Sequence, residues 1–336
     1  MPRLRALFHF DVGELWVRTE ELGSVFDIGA GSVRIALPGG DAAFVLAEDR
    51  HGDRDDPFTG SAIGRRLELG HEMVGVRIIQ IAVDLDGDVR ASDFDQPTPD
   101  AYTRGNAAWD AADAIAENAL RRFMSWARVV GNQYWIALST DAPKLTGISV
   151  LYDLEADARI PLSRPSRSIG TYINSPVLRG LAPIGNVIEA MSQGAEAPTP
   201  ERLLADARAI HWPTFSGPDH QRSVLLAAIA SEMKVKETLL AQASPEAKPL
   251  VEIITENPRE VTQSVPQLLR ATAAAVVGRS LFEDDRELWK QVDKLFTLRN
   301  RVAHRGHTPS EDEARKAVEA AVALFSWLSE PAPGST

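Results

Sequence analysis

The chain contains no cysteine, which excludes disulfides and thiolate metal sites and is compatible with a cytoplasmic protein. No apolar run approaches ~18 residues, so no membrane-spanning helix and no membrane partner are expected. Residues 1–10, MPRLRALFHF, lack the apolar core and cleavage site of a secretory leader and read instead as a strand. Internal repeats are absent. Positive charge is in deficit: 36 Lys+Arg stand against 47 Asp+Glu, a net of −11. The deficit is uneven. Residues 1–199 hold 19 cations and 28 acids, a net of −9, whereas residues 200–336 hold 17 and 19, a net of −2. The acidic half is a poor nucleic-acid surface, because phosphate binding rests on cationic contacts. In the near-neutral half a local basic patch is not swamped.

What is present suffices for two domains: 336 residues, 44% of them hydrophobic. The first part reads as β. Short alternating or apolar runs at 14–18, 32–37 and 42–46 are separated by Gly- and Asp-rich turns. A stronger run, 74–83, ends at Asp86-Gly87, a hairpin signal. From about 106 to 130 the period changes. Trp109, Ala112, Ile115, Ala116, Ala119, Leu120, Phe123 and Ala127 mark one face of a long helix. Strands are expected again at 133–138 and 147–152, and residues 160–193 carry no clear period. Gly194 to Pro200 reads as a linker between a domain at 1–195 and another at 200–330. Beyond it helices are expected near 200–210, 219–242, 245–256, 259–278, 284–304 and 309–329. The fold class expected is therefore α+β: a β-rich N-terminal domain with a long helix, then an all-α bundle.

The last two helices are the clearest. Leu288, Val292, Leu295, Leu298 and Val302 form one apolar stripe, and Ala314, Ala317, Ala321, Leu324 and Leu328 form another. Gly306 is placed as a helix C-terminal glycine. Thr308-Pro309-Ser310-Glu311 reads as an N-cap, a first-turn proline and a capping glutamate.

Between those helices lies RNRVAHRGH, residues 299–307, with three arginines, two histidines and no acid. Such a run can bind phosphate and move a proton near neutrality without a metal. Asn300 and His304 are four apart and share a helix face; Arg299 and His304 are about 140° apart around the axis. A long arginine narrows that gap, and a second copy of the helix closes it more easily. His304 sits in the last turn, where the helix dipole favours the imidazolium. A bland alternative is a helix end decorated with cations for that same dipole.

The segment Arg299-Asn300-x-x-x-His304 resembles the Arg-x(4–6)-His motif of HEPN domains. The stretch from Leu288 to Leu328 is similar to the abortive-infection, Apea-like branch of that family, and the resemblance covers roughly 200–330. It implies a homodimeric, metal-independent endoribonuclease of a defence or toxin-like system, with RNA as its partner, no cofactor and no DNA substrate. The ribose 2′-OH would attack the adjacent phosphate and leave a 2′,3′-cyclic phosphate. By the same resemblance His304 would transfer protons, Arg299 would stabilise the phosphorane and Asn300 would orient the phosphate or the imidazole. The alternative is a non-catalytic HEPN-like module that dimerises or binds RNA, a nucleotide or a protein. Arg301 and Arg305 read either as contacts to the RNA backbone or as a solvated face. His307 reads first as a turn residue and second as a substrate contact. Glu232 falls on the apolar side of its helix and needs a partner, either Lys236 at i+4 or the Arg299/His304 site.

Three further patterns carry little. Residues 25–32, VFDIGAGS, are similar to a nucleotide-binding glycine loop, but such a loop must open a helix and here precedes a strand-like run. Asp84, Asp86 and Asp88 are similar to a calcium loop with Val89 where glycine belongs, so a hairpin turn is the better reading. His71-Glu72 lacks the second histidine of a zinc helix. His9, His51, His211 and His220 are read as exposed and share no ligand spacing.

Overall fold

Two elements organise the N-terminal unit: a long bent strand that templates a sheet and a long helix that covers one face of it. In the computed structural model the described residues are 2–28, 31–39, 63–68, 72–136, 144–145, 149–162, 181–193, 196–211, 219–256 and 263–330. They fall in two units, Met1–Ala197 and Pro198–Thr336, and the chain is α+β.

In the first unit β1 (Arg3–Arg18) lies between β5 (Glu72–Asp86) and β7 (Val150–Asp153). The remaining strands are β2 (Val25–Ile28), β3 (Val33–Ala36), β4 (Ile63–Glu68), β6 (Lys144–Leu145) and β8 (Ala158–Ile160). Every described pairing is antiparallel, and the path runs β2-β3-β5-β1-β7-β8, with β4 on β5 and β6 on β1. The β1–β5 register slips between Asp11 and Leu15, where Gly13 takes φ 76°, a conformation suited to glycine at a bulge. Alternation sends Leu4, Ala6, Phe8 and Phe10 to one face. That face meets α1 (Pro99–Val129), whose Trp109 packs edge-on against Phe8 at 6.1 Å between centroids. Thr98 caps α1 by accepting from Ala101 N at 3.2 Å, with Pro99 in the first turn.

Several sequence expectations are corrected here. Asp86-Gly87 ends β5 but turns no hairpin. Gly87 N donates to the Pro2 carbonyl and the chain passes on toward α1, because β5 already has its partners in β1, β3 and β4. Gln133 opens a buried turn rather than a strand. Its amide accepts from Trp16 N and donates to Trp16 O, both at 2.7 Å, so one side chain replaces a neighbouring strand. His9 is buried, 2% exposed, with Nε2 3.2 Å from Gln80 Nε2, because the strand period turns it onto the face it shares with Leu7. Asp84 is held by Arg5 at 2.7 Å and Arg34 at 3.3 Å, which uses its oxygens for an ion-pair network. One expectation holds: the run after residues 25–32 is a strand, β3, and not a helix. The helix α2 (Ile184–Gln193) lies where no period was seen. The run 42–46, His51 and His71 lie outside the described residues, as does the side chain of His211.

The second unit is helical: α3 (Thr199–His211), α4 (His220–Gln242), α5 (Lys248–Glu256), α6 (Val265–Gln267), α7 (Ala273–Val277), α8 (Leu281–Asp284), α9 (Arg286–Arg305) and α10 (Glu311–Ser329). A π-turn, Leu268–Thr272, joins α6 to α7. The central element is α4, which packs on α3, α9 and α10. It is rich in small residues where it is most enclosed (Ser223, Ala227, Ala228, Ala230, Ser231), which lets neighbouring backbones approach closely. Val224, Ala227 and Ala228 pack with Leu295, Leu298, Val302, Ala314 and Ala317. Val235 and Leu239 pack with Leu288, Val292, Leu324 and Leu328. These contacts fix the rotation of α9 about its axis and so decide which of its side chains face solvent. Among the described residues no helix is long and apolar enough to cross a membrane.

Candidate functional site

The site is built on the last two turns of α9. Leu298 and Val302 are buried against α4 and α10, so the residues between them are turned outward. Arg299 is half-buried, while Asn300, Arg301, His304 and Arg305 are exposed. Gly306 ends the helix at φ 62°, and its N–H donates to the Val302 carbonyl at 3.2 Å. The chain then turns, and His307 N donates to the Arg301 carbonyl at 3.3 Å.

Two groupings result. In one, Arg299 Nη1 donates to Asn300 Oδ1 at 3.0 Å, and the Asn300 amide N–H groups and the remaining guanidinium donors have no partner among the described residues. His304 sits one turn further on. Among the described residues it makes no hydrogen bond or ion pair, and no bond joins it to Arg299, Asn300 or Glu232. An imidazole in that setting retains both ring nitrogens for a ligand, but a single chain does not bring the Arg299 guanidinium onto it.

The second grouping was not anticipated. Arg301 Nη2 lies 3.2 Å and 3.0 Å from the two ring nitrogens of His307. Both side chains meet Glu313, at 3.5 Å from Arg301 and 3.4 Å from His307. Glu313 also accepts from Ser310 N at 2.9 Å, while Ser310 Oγ accepts from Glu313 N. Gln221 of α4 donates to the His307 carbonyl at 3.1 Å. This is a clasp that closes the α9–α10 turn. A nearby carboxylate thus holds both Arg301 and His307, whereas Arg305 makes no ion pair among the described residues. The clasp also moves the helix cap. Ser310 is the N-cap and Glu313 the capping glutamate, with Pro309 ahead of them, because the Ser310 side chain reaches the third helical N–H. The signal was present in the sequence as Ser310-x-x-Glu313, two residues beyond the cap expected from Thr308.

Glu232 pairs with Lys236 at 2.7 Å within α4, so the local i+4 partner holds it and the reach toward the motif is not made. Among the described residues no group of three or more His, Asp or Glu side chains converges on a metal position.

Comparison of the chain with protein-family models, curated proteins and solved structures returns no match. The site therefore stands on its own geometry.

The clasp has a measurable pH signature. The Ser310 N–H, and then His307, hold the Glu313 carboxyl below its ordinary value of 4.5 against an opposing effect of burial. A carboxylate whose pKa is lowered in the folded state stabilises that state above its unfolded pKa, and the gain is lost as pH falls through the lowered value. Solvent screening keeps the effect small, because both side chains are partly exposed. Wild type should melt above Glu313→Gln at neutral pH, and the gap in Tm should close below pH 4.5. A gap unchanged at pH ~3 would contradict the charge-based account.

Proposed function

We propose that the helical unit is a metal-independent endoribonuclease of the HEPN kind that acts as a homodimer, and that the N-terminal unit senses a signal or restrains the site in a defence or toxin-like system. The observation that carries this reading is the exposed, uncommitted His304 in the last turn of α9, one turn from an Arg299–Asn300 pair that presents donors on the same helix end. Donors of that kind suit the extra negative charge of a phosphorane, and an imidazole suits the proton transfers. In the reaction the 2′-oxygen of a ribose bonds to phosphorus and its proton passes to an imidazole. The P–O5′ bond breaks, and a proton is returned to the 5′-oxygen. The products are a 2′,3′-cyclic phosphate and a 5′-hydroxyl. A second protomer would supply the Arg299 that one chain keeps off its own His304.

That last feature also favours the second reading, a HEPN-like dimerisation or binding module without catalysis, in which Arg299 stays on Asn300 and the imidazole only contacts ligand. One substrate pair separates the two. In EDTA, an RNA strand should be cut, and the same strand with a single 2′-deoxyribose at the cut position should bind but resist cleavage there. Cleavage that ignores the deoxy substitution would rule out attack by the 2′-oxygen. Binding without cleavage of either strand would select the module.

A further inference from the structure

The cations of α9 form a stripe. The helix carries six Lys and Arg against two acids, a net of +4 in a chain of −11. Arg286, Lys290, Lys294, Arg301 and Arg305 are all exposed, and all fall within about 100° of one another around the axis. His304 lies on the edge of the same sector, 18 residues and five turns from Arg286, about 27 Å along the axis. Glu287 and Asp293 stand at its two edges, and Glu287 is paired with Lys290 at 3.3 Å. Arg286, Lys294 and Arg305 make no ion pair among the described residues.

Apart from Arg305 in the last turn and the Glu287–Lys290 pair, the stripe does not serve the helix. Arg286/Lys290, Lys290/Lys294 and Arg301/Arg305 are like-charged i,i+4 pairs, which oppose helix formation. Arg286 also occupies the first turn, where the dipole disfavours a cation. At that end the Arg286 guanidinium lies over the Phe282 ring at 4.9 Å, and exposed Arg270 lies over the same ring at 4.4 Å. Trp289 meets Phe282 edge-on at 5.1 Å. Guanidinium groups held over an aromatic ring place charge beside a π surface, the two features that bind an unpaired base.

Resting on the ribonuclease reading, we infer that the exposed face of α9 is a track for single-stranded RNA, running from the scissile phosphate at His304 to the Arg270–Phe282–Arg286 platform. Within Arg286/Lys290/Lys294 and within Arg301/Arg305, cations one turn apart rise by about 6 Å, a spacing suited to successive phosphates of an extended strand, and the two groups are separated by about 10 Å along the axis. The track sets a minimum substrate length and holds the strand on one side of the cut without reading sequence.

The test uses full-length His304→Ala protein, so that RNA is bound and not cut, with oligouridylates of about 2 to 12 nucleotides. In that background Arg286→Gln/Lys290→Gln/Lys294→Gln is set beside Arg315→Gln/Lys316→Gln, which removes charge from α10 instead. The parent should gain affinity with oligomer length, whereas the α9 variant should stop gaining after the shortest oligomers. The salt dependence of log affinity should flatten by about 2 in the α9 variant, at roughly 0.7 per phosphate contact, and hardly at all in the α10 control. The α9 variant exchanges like-charge repulsions for loss of the Arg286–Phe282 contact and the exposed Glu287–Lys290 pair, so its Tm should change little. Equal slopes in parent and α9 variant, or equal flattening in both variants, would overturn the track while leaving the nuclease reading intact. No RNA binding by the parent, with no cleavage by wild type, would overturn both.

Discussion

Replacing His304 by alanine should lower RNA cleavage by about 10²–10⁴-fold in kcat/KM, the range expected when a positioned acid–base group is removed. Arg299→Ala should cost a comparable ~10²–10³-fold through lost stabilisation of the phosphorane. Neither change should alter the melting temperature appreciably, because His304 is exposed and Arg299 donates only to the adjacent Asn300 side chain. The two substitutions also test where the parts of the site reside. If one protomer lends Arg299 to the other's His304, mixed dimers of the two inactive variants regain one intact site, and activity should partly return on mixing. Failure to complement, with both variants individually inactive and both dimeric, would place Arg299 and His304 of one chain in the same site.

The second large effect belongs to the sheet. Trp109 is 1% exposed beneath the sheet and meets Phe8 edge-on. Trp109→Ala removes that contact and leaves a void which the surrounding strands cannot fill, at a cost of about 3–5 kcal/mol. Urea unfolding followed by circular dichroism should show an unfolding free energy lowered by that amount, and a correspondingly lower midpoint, for the transition of residues 1–197, with the transition of the helical unit kept. A loss below about 1 kcal/mol would mean that α1 is not the cover of the sheet.

Why some elements were legible in the sequence and others were not follows from where their determinants lie. The α9–α10 pair was readable because what specifies it is local: apolar positions three and four apart and Gly306 at the turn, although the cap itself falls at Ser310-x-x-Glu313, two residues beyond the one read from Thr308. The face of α1 was readable for the same reason. By contrast α2 starts where Glu21 Oε1 accepts from Ile184 N at 2.6 Å and from Gly185 N at 3.3 Å, a cap supplied by a residue 163 positions away. No window on 160–193 contains that signal. Gln133 reads as a strand residue because Tyr134, Trp135 and Ile136 are aromatic or branched, yet its amide serves as the partner of Trp16, which only the fold brings near. The burial of His9 is likewise hidden from the sequence, because its support is the cross-strand neighbour Gln80, 71 positions away.

The candidate site divides along the same line. Arg299, Asn300 and His304 are set by spacing on one helix, so their exposure and direction follow from the stripe Leu295, Leu298 and Val302 that is buried behind them. The engagement of Arg301 and His307 depends on Glu313 folding back across the turn, and the cationic stripe acquires its far end only when Phe282 packs beside Trp289. Those contacts cross helix boundaries and carry no periodic signature.

The role proposed for His304 is metal-free phosphoryl chemistry on RNA. Its most direct test is incubation of purified wild type and His304→Ala with total RNA in EDTA, followed by analysis of the fragment ends. Cleavage by wild type alone, leaving 2′,3′-cyclic phosphates, is the expected result. Equal cleavage by both proteins, or fragments that end in 3′-hydroxyls, would contradict it.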